Sequence, residues 1–190
     1  MGLTFIKSLT ADDDCELEFI DGTGGVVFDN TYNEYQFQFV NIHPVDDNVD
    51  FSFQVNSTND PASGDGAYDT SLITSTHFAA YHHETSGVAA LAYDVEVDLA
   101  QEANEQVLGR YFGNEDDESG SGVLTLYDPS STTYVKHFTS RLQVLTRNQY
   151  FHDRRIAGYI NDADYAIDEI RFKFSGGNID DGTIYMYGVS

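Results

Sequence analysis

The chain has 190 residues, 41% of them hydrophobic, and carries 32 Asp plus Glu against 9 Lys plus Arg. This length fits one domain whose core needs neither disulfides nor metals, and the lone Cys15 has no partner for an internal bridge. The formal net charge of −23 opposes binding to nucleic acid or to an anionic membrane, because phosphate contacts need clustered Lys and Arg. With no bilayer-length apolar run and no signal-peptide pattern, we expect a soluble chain.

Alternation of apolar and polar residues dominates the chain and is typical of half-buried antiparallel strands. Tyr35, Phe37 and Phe39, for example, alternate with glutamines, and Ile184 and Met186 alternate with tyrosines. Turn-forming Gly, Asn and Asp residues separate these runs. The pattern predicts ten strands, in chain order near 15–19, 35–39, 51–55, 71–82, 105–112, 122–127, 133–145, 154–160, 170–174 and 184–188.

One segment has a different periodicity. Leu91, Val95 and Leu99 recur at a spacing of four, which predicts a short helix over 90–103, with a loop as the alternative. About nine or ten strands with turn signals between them favour an all-β fold. We therefore predict a single-domain antiparallel β-sandwich over 1–190, jelly-roll-like in form.

The charges are unevenly distributed along the chain. Residues 1–120 hold 24 acidic and 2 basic residues, whereas 121–190 hold 8 acidic and 7 basic residues. Such an acidic chain is expected either in salty water, which screens the self-repulsion, or wherever high solubility is needed. The nearly neutral last third is the part that tolerates a negatively charged neighbour, unless its basic residues are scattered over the surface.

No motif indicates catalysis or a cofactor. Three acidic clusters, Asp12–Asp14, Asp46 to Asp50 and Glu115–Glu118, could supply oxygen ligands to Ca²⁺ or could be solvated loops, and none fits an EF-hand. The nearest approach to a nucleophile elbow, Ser119–Gly122, lacks the required spacing. We predict that the chain is not an enzyme; a glycosidase-like carboxylate pair is the enzymatic alternative.

The remaining candidates are residues for protein contact. Outward-facing tyrosines and the basic residues of the last third could bind an acidic or polar neighbour. The alternative is that the tyrosines pack at the sandwich edges and the arginines are solvated. The candidate docking residues are Arg141, Arg147, Arg154, Arg155, Arg171, Lys173, Tyr185 and Tyr187.

Four segments, in the same order along nearly the whole chain, resemble small virion structural proteins of tailed bacteriophages, particularly marine ones. The most recognisable is 172–189, FKFSGGNIDDGTIYMYGV. The others are 3–10, 29–44 and 129–138.

The resemblance implies a non-enzymatic virion protein. The resemblance itself fits either an exterior capsid protein or a tail appendage. Because the basic residues are concentrated in 121–190 and no catalytic motif is present, we predict a decoration or cement protein on the outside of the head, bound to the major capsid protein or another virion protein after assembly in the host cytoplasm. The alternative is a tail-fibre or receptor-binding module for host surface glycans. A homo-oligomer is expected, with a trimer matching the local threefold axes of a capsid.

Overall fold

The computed structural model describes residues 2–57, 68 and 71–190. Thirteen strands and no helix form within these residues. The strands are β1 (Leu3–Thr10), β2 (Leu17–Ile20), β3 (Glu34–Pro44), β4 (Val49–Ser57), β5 (Ile73–His83), β6 (Ala89–Tyr93), β7 (Ala100–Glu102), β8 (Gln106–Phe112), β9 (Gly120–Tyr127), β10 (Lys136–Leu145), β11 (Tyr150–Ile160), β12 (Ile167–Phe174) and β13 (Ile179–Val189).

The strands form two antiparallel sheets of unequal size. The large sheet has the order β1-β13-β3-β9-β10-β11-β5-β6, with β7 also paired to β5, and the small sheet has the order β2-β12-β4-β8. Every strand pairing is antiparallel. The predicted all-β antiparallel sandwich is therefore confirmed.

All ten predicted strands form, and the three additional strands are β1, β6 and β7. The predicted helix over 90–103 is wrong, because β6 and β7 occupy half of this segment and both pair with β5. Leu91 and Val95 are exposed and only Leu99 is buried, so the spacing of four does not mark a buried face.

Aromatic residues fill the space between the sheets. Phe172, in the small sheet, lies edge-on to Phe39 of the large sheet at 5.2 Å between ring centroids and contacts Phe37 at 5.5 Å. Phe51 stacks on Phe172 from the neighbouring strand at 6.1 Å. Because successive side chains of a strand point to opposite faces, every second side chain along β3, β12 and β13 is buried between the sheets. The intervening residues lie on the outer faces of the sheets.

The large sheet extends beyond the four strands of the small one. Its overhanging inner face, on β5 and β11, is covered by the segment that follows β6, where Val97 and Leu99 are buried. Leu99 N–H donates to Ser75 Oγ of β5 at 3.1 Å, and Asp94 N–H donates to the carbonyl of His77 at 2.9 Å. The outer face of the same strands carries no covering layer among the described residues.

Candidate functional site

Five adjacent strands of the large sheet, β9, β10, β11, β5 and β6, contain a single acidic residue, Asp153, and four basic ones. Of the basic residues, Arg141 and Arg155 are exposed, whereas Lys136 and Arg154 are buried. We call the outward-facing side chains of these five strands the acid-poor face. In a chain with a net charge of −23, this face lacks the repulsion that the rest of the surface offers to an acidic neighbour.

Strand register places the candidate residues on one side of the sheet. Residues directly opposite each other in an antiparallel pair point to the same face, so a row of partners can be followed across the strands. One such row passes through the two exposed arginines of the acid-poor face and one of the two candidate tyrosines. From β6 to β13 the row is Tyr93, Phe78, Arg155, Arg141, Val123, Gln38 and Tyr185.

The two arginines of the row share Asp153. Arg141 donates to both carboxylate oxygens of Asp153 at 2.8 and 3.1 Å, and Arg155 Nη2 lies 3.5 Å from Asp153 Oδ2. The hydrogen bond and the charge of Arg141 hold the pKa of Asp153 below its ordinary value. Since the side chains of Arg141 and Arg155 stay 51% and 48% exposed, the cluster offers one net positive charge to a partner.

Apolar side chains surround this charged cluster. Phe78, Phe151 and Tyr93 are exposed by 40%, 48% and 51%. A shallow groove of about 340 Å³ runs over the arginines, lined by Phe78, Val123, Thr125, Thr139, Ser140, Arg141, Arg155, Ile156 and Ala157. Exposed rings around half-exposed arginines are the composition found at protein–protein contacts. The arrangement fits binding of a flat surface that carries carboxylates.

The structure brings together only part of the predicted docking set. Arg141 and Arg155 lie on the acid-poor face, and Tyr185 and Tyr187 lie on the same side of the sheet on β13. Arg147 is in the turn between β10 and β11, with Nη1 3.4 Å from Asp47.

Two further members of the set lie on the small sheet. On β12, Arg171 Nη2 donates to Glu105 Oε1 at 2.8 Å, and its guanidinium stacks on Tyr68 at 4.3 Å. Lys173 approaches the same Glu105 oxygen at 4.0 Å. These two cations are therefore separate from the acid-poor face and already have acidic partners.

Arg154 is a correction to the predicted docking set, because only 1% of its surface is exposed. It points to the inner face of β11, where Nη1 donates to Asp94 Oδ2 at 3.1 Å and lies 3.2 Å from His77 Nε2. Its Nη2 lies 3.2 Å from His152 Nδ1. Burial and the charge of Arg154 lower the pKa of both histidines to about 4, so both are neutral at pH 7. Arg154 is a structural residue.

A second concave site, the tyrosine pocket, was not predicted from the sequence. It has a volume of about 320 Å³ and is lined by Tyr81, Val88, Tyr111, Thr146, Asn148, Tyr150 and His152. Tyr81 stacks on His152 at 5.3 Å and meets Tyr150 edge-on at 5.8 Å. The signal in the sequence was weak, because these residues come from strands and loops that are distant along the chain.

The acidic clusters engage in hydrogen bonds with their surroundings. Asp50 Oδ1 accepts from the N–H of Tyr111 at 2.9 Å, and Glu118 Oε2 accepts from the N–H of Glu115 at 3.1 Å. Asp13 accepts from Asn178 at 2.9 Å. Within residues 2–57, 68 and 71–190, no group of three or more His, Cys, Asp or Glu side chains has the geometry to hold a metal ion.

Comparisons with protein-family models, with curated proteins and with solved structures found no match to this chain. Among the residues that the structure describes, no helix has the length and apolar character needed to cross a membrane.

Proposed function

We propose that this protein is a non-enzymatic structural protein of a phage virion that binds the outside of the head and stabilises the capsid. The acid-poor face is the observation that carries the docking part of the proposal. The resemblance of four sequence segments to small virion proteins supports the choice of a virion as its setting. The partner is the major capsid protein or another virion protein.

Electrostatics supports docking through this face. A surface with a net charge of −23 repels an acidic partner from most directions, and the repulsion is least over the five strands that hold one acidic residue. Arg141 and Arg155 can pair with carboxylates of the partner, while exposed rings such as Phe78 supply apolar contact. The acidic remainder then faces solvent.

The test is retention of the protein on phage particles. Virions are assembled with the native chain, with the double substitution Arg141→Glu/Arg155→Glu, or with Arg147→Glu as the matched control, because Arg147 is 40% exposed but lies outside the acid-poor face. We expect the double variant to be lost from the particle and the particle to lose resistance to heat and osmotic shock. Full retention of the double variant on the head would overturn docking through this face, and localisation to the tail would overturn the decoration role.

The tyrosine pocket favours a second candidate function, recognition of a host surface glycan by a tail module. Tyrosine rings can pack against the apolar C–H face of a sugar, and their hydroxyls, together with Thr146 and Asn148, can form hydrogen bonds with its hydroxyl groups. The test is binding to a glycan array and to host envelope material. Tyr150→Ala should abolish binding, whereas Tyr134→Ala, a 72% exposed tyrosine outside the pocket, should not. No binding by the native chain ends this candidate.

A further inference from the structure

Strand β6 forms one edge of the large sheet and has none of the features that protect an edge strand. Its residues, Ala89–Tyr93, carry no charge and no proline, and all five are exposed. It pairs with β5 in unbroken register, and no described residue pairs with its other side. Exposed edge strands normally carry a lysine, a proline or a bulge that prevents pairing with another chain.

The hydrogen bonds that flank β6 determine which of its backbone groups are free. His83 N–H donates to the carbonyl of Val88, and Asp94 N–H donates to the carbonyl of His77, both at 2.9 Å. Because hydrogen-bonded pairs alternate along an antiparallel ladder, even-numbered residues of β6 direct their backbone groups to β5. The N–H and C=O groups of Ala89, Leu91 and Tyr93 therefore point away from the sheet.

The opposite edge of the large sheet is different. Strand β1 carries a bulge between Phe5 and Lys7, and Lys7 places a positive charge on the strand itself. Both are devices that discourage pairing with a second chain. Only β6 of these two edge strands is therefore suited to add another strand.

We propose that β6 pairs with β6 of a second copy of this chain, in antiparallel orientation, to give a two-fold dimer. With Leu91 at the centre, Leu91 lies opposite Leu91 of the partner subunit, and Ala89 lies opposite Tyr93 of the partner subunit. All three outward residues then form hydrogen-bonded pairs, which gives about six new backbone hydrogen bonds.

Self-complementarity and charge argue for a second copy as the occupant. A two-fold axis uses the same surface on both subunits. An axis at Leu91 pairs the three outward residues of one subunit with the same three residues of the other, with no shift in register. Asp94, the first carboxylate beyond the strand, lies opposite Val88 of the partner subunit and is already paired with Arg110 and Arg154. No two carboxylates face each other within the paired span.

The test measures the mass of the full chain in solution by sedimentation, in about 1 M NaCl, where screening limits repulsion between two acidic subunits. We expect the native chain to be a dimer. Leu91→Pro removes the outward N–H without removing a bond to β5, and Leu91→Lys places two like charges across the two-fold axis. Each should weaken the dimer by about tenfold or more. Leu3→Lys is the matched control on β1, where Leu3 is 53% exposed, and should remain dimeric.

Hydrogen exchange adds a readout at the strand itself. The amides of Ala89, Leu91 and Tyr93 should become protected as protein concentration rises, while those of β1 should not change. A native chain that stays monomeric, a trimer, or a dimer that persists in both Leu91 variants would overturn the proposal. These results are independent of docking to a virion, because they are measured on the free chain in solution, whereas docking is measured by retention on phage particles.

Discussion

Arg154 and Asp94 form an ion pair, with Nη1 and Oδ2 3.1 Å apart, that joins the inner face of β11 to the segment after β6. Arg110 Nη1 binds the other oxygen of Asp94 at 3.1 Å, so one carboxylate bridges two arginines from different sheets. Burial would raise the pKa of Asp94, but the hydrogen bonds and charges of the two arginines outweigh it and hold the pKa below its ordinary value. The Asp94 carboxylate therefore balances the positive charge of the buried Arg154, on the part of the large sheet that extends beyond the small sheet.

The first prediction concerns loss of this carboxylate. Asp94→Asn leaves Arg154 buried without a counter-charge and should lower the free energy of unfolding by about 3–5 kcal/mol. Asp153→Asn is the control, since it breaks a pair with the exposed Arg141 and should cost about 0–1 kcal/mol. Urea unfolding of the three proteins measures the difference. Equal losses in the two variants would contradict a special role for the buried pair.

The second prediction concerns pH. The pKa of His77 and of His152 is about 4 in the folded chain and about 6.5 in the unfolded chain, so between these values the unfolded state binds more protons. Stability should therefore be complete above about pH 6.5 and fall as the pH drops towards 4, by about 2 kcal/mol for each histidine between pH 7 and 5.

Substitution separates the histidines from the carboxylates that titrate in the same range. His77→Gln should flatten the dependence of the urea midpoint on pH, and His82→Gln, at an exposed position, should leave it unchanged. If the urea midpoint depends on pH in the same way in the native chain and in His77→Gln, then His77 does not contribute to the pH dependence of stability.

The third prediction concerns salt. With a net charge of −23, repulsion opposes the compact state, and the screening length falls from about 30 Å at 0.01 M to about 3 Å at 1 M salt. The urea midpoint should rise over this range. Asp116→Asn/Asp117→Asn, which removes two charges from an exposed loop, should raise the midpoint at low salt and make it less sensitive to salt. A midpoint that falls with salt would mean that ion pairs outweigh the repulsion.

The fourth prediction concerns the close approach of β9 to β10. A Cβ at Gly122 would lie 2.2 Å from the carbonyl oxygen of Arg141 and 2.8 Å from Leu142 Cα. Gly122→Ala should therefore destabilise the fold by about 1–3 kcal/mol, because the backbone must shift. Gly87→Ala is the control, as no atom lies within 4 Å of its Cβ position. Thermal unfolding compares the two, and equal midpoints would contradict the steric argument.

The sandwich could be predicted because side chains alternate between the core and the outer face. Ile184 and Met186 are buried while Tyr185 and Tyr187 are partly exposed, as the pattern indicated. The helix prediction failed because a spacing of four is also compatible with exposed residues on an edge strand and a turn. Short, alanine-rich β6 is recognisable as a strand only through its pairing with β5.

The candidate surface could be predicted only in part. A difference in charge along the sequence does not show which strands become neighbours, and the acid-poor face draws β5 and β6 from the acidic part of the chain. Burial of Arg154 had a signal in the sequence, since Arg154 shares its strand face with Ile156, whereas Arg155 shares the opposite face with Ala157. The tyrosine pocket depends on tertiary packing alone.

The bulge between Phe5 and Lys7 limits how far strand addition can extend. A sheet that is open at both edges can add copies at each end without limit and grow into a fibre. In the proposed β6 dimer, the remaining end of each large sheet is the bulged strand β1, which is not suited to add a further copy. The bulge in β1 would therefore limit the proposed assembly to a dimer and prevent growth into a fibre.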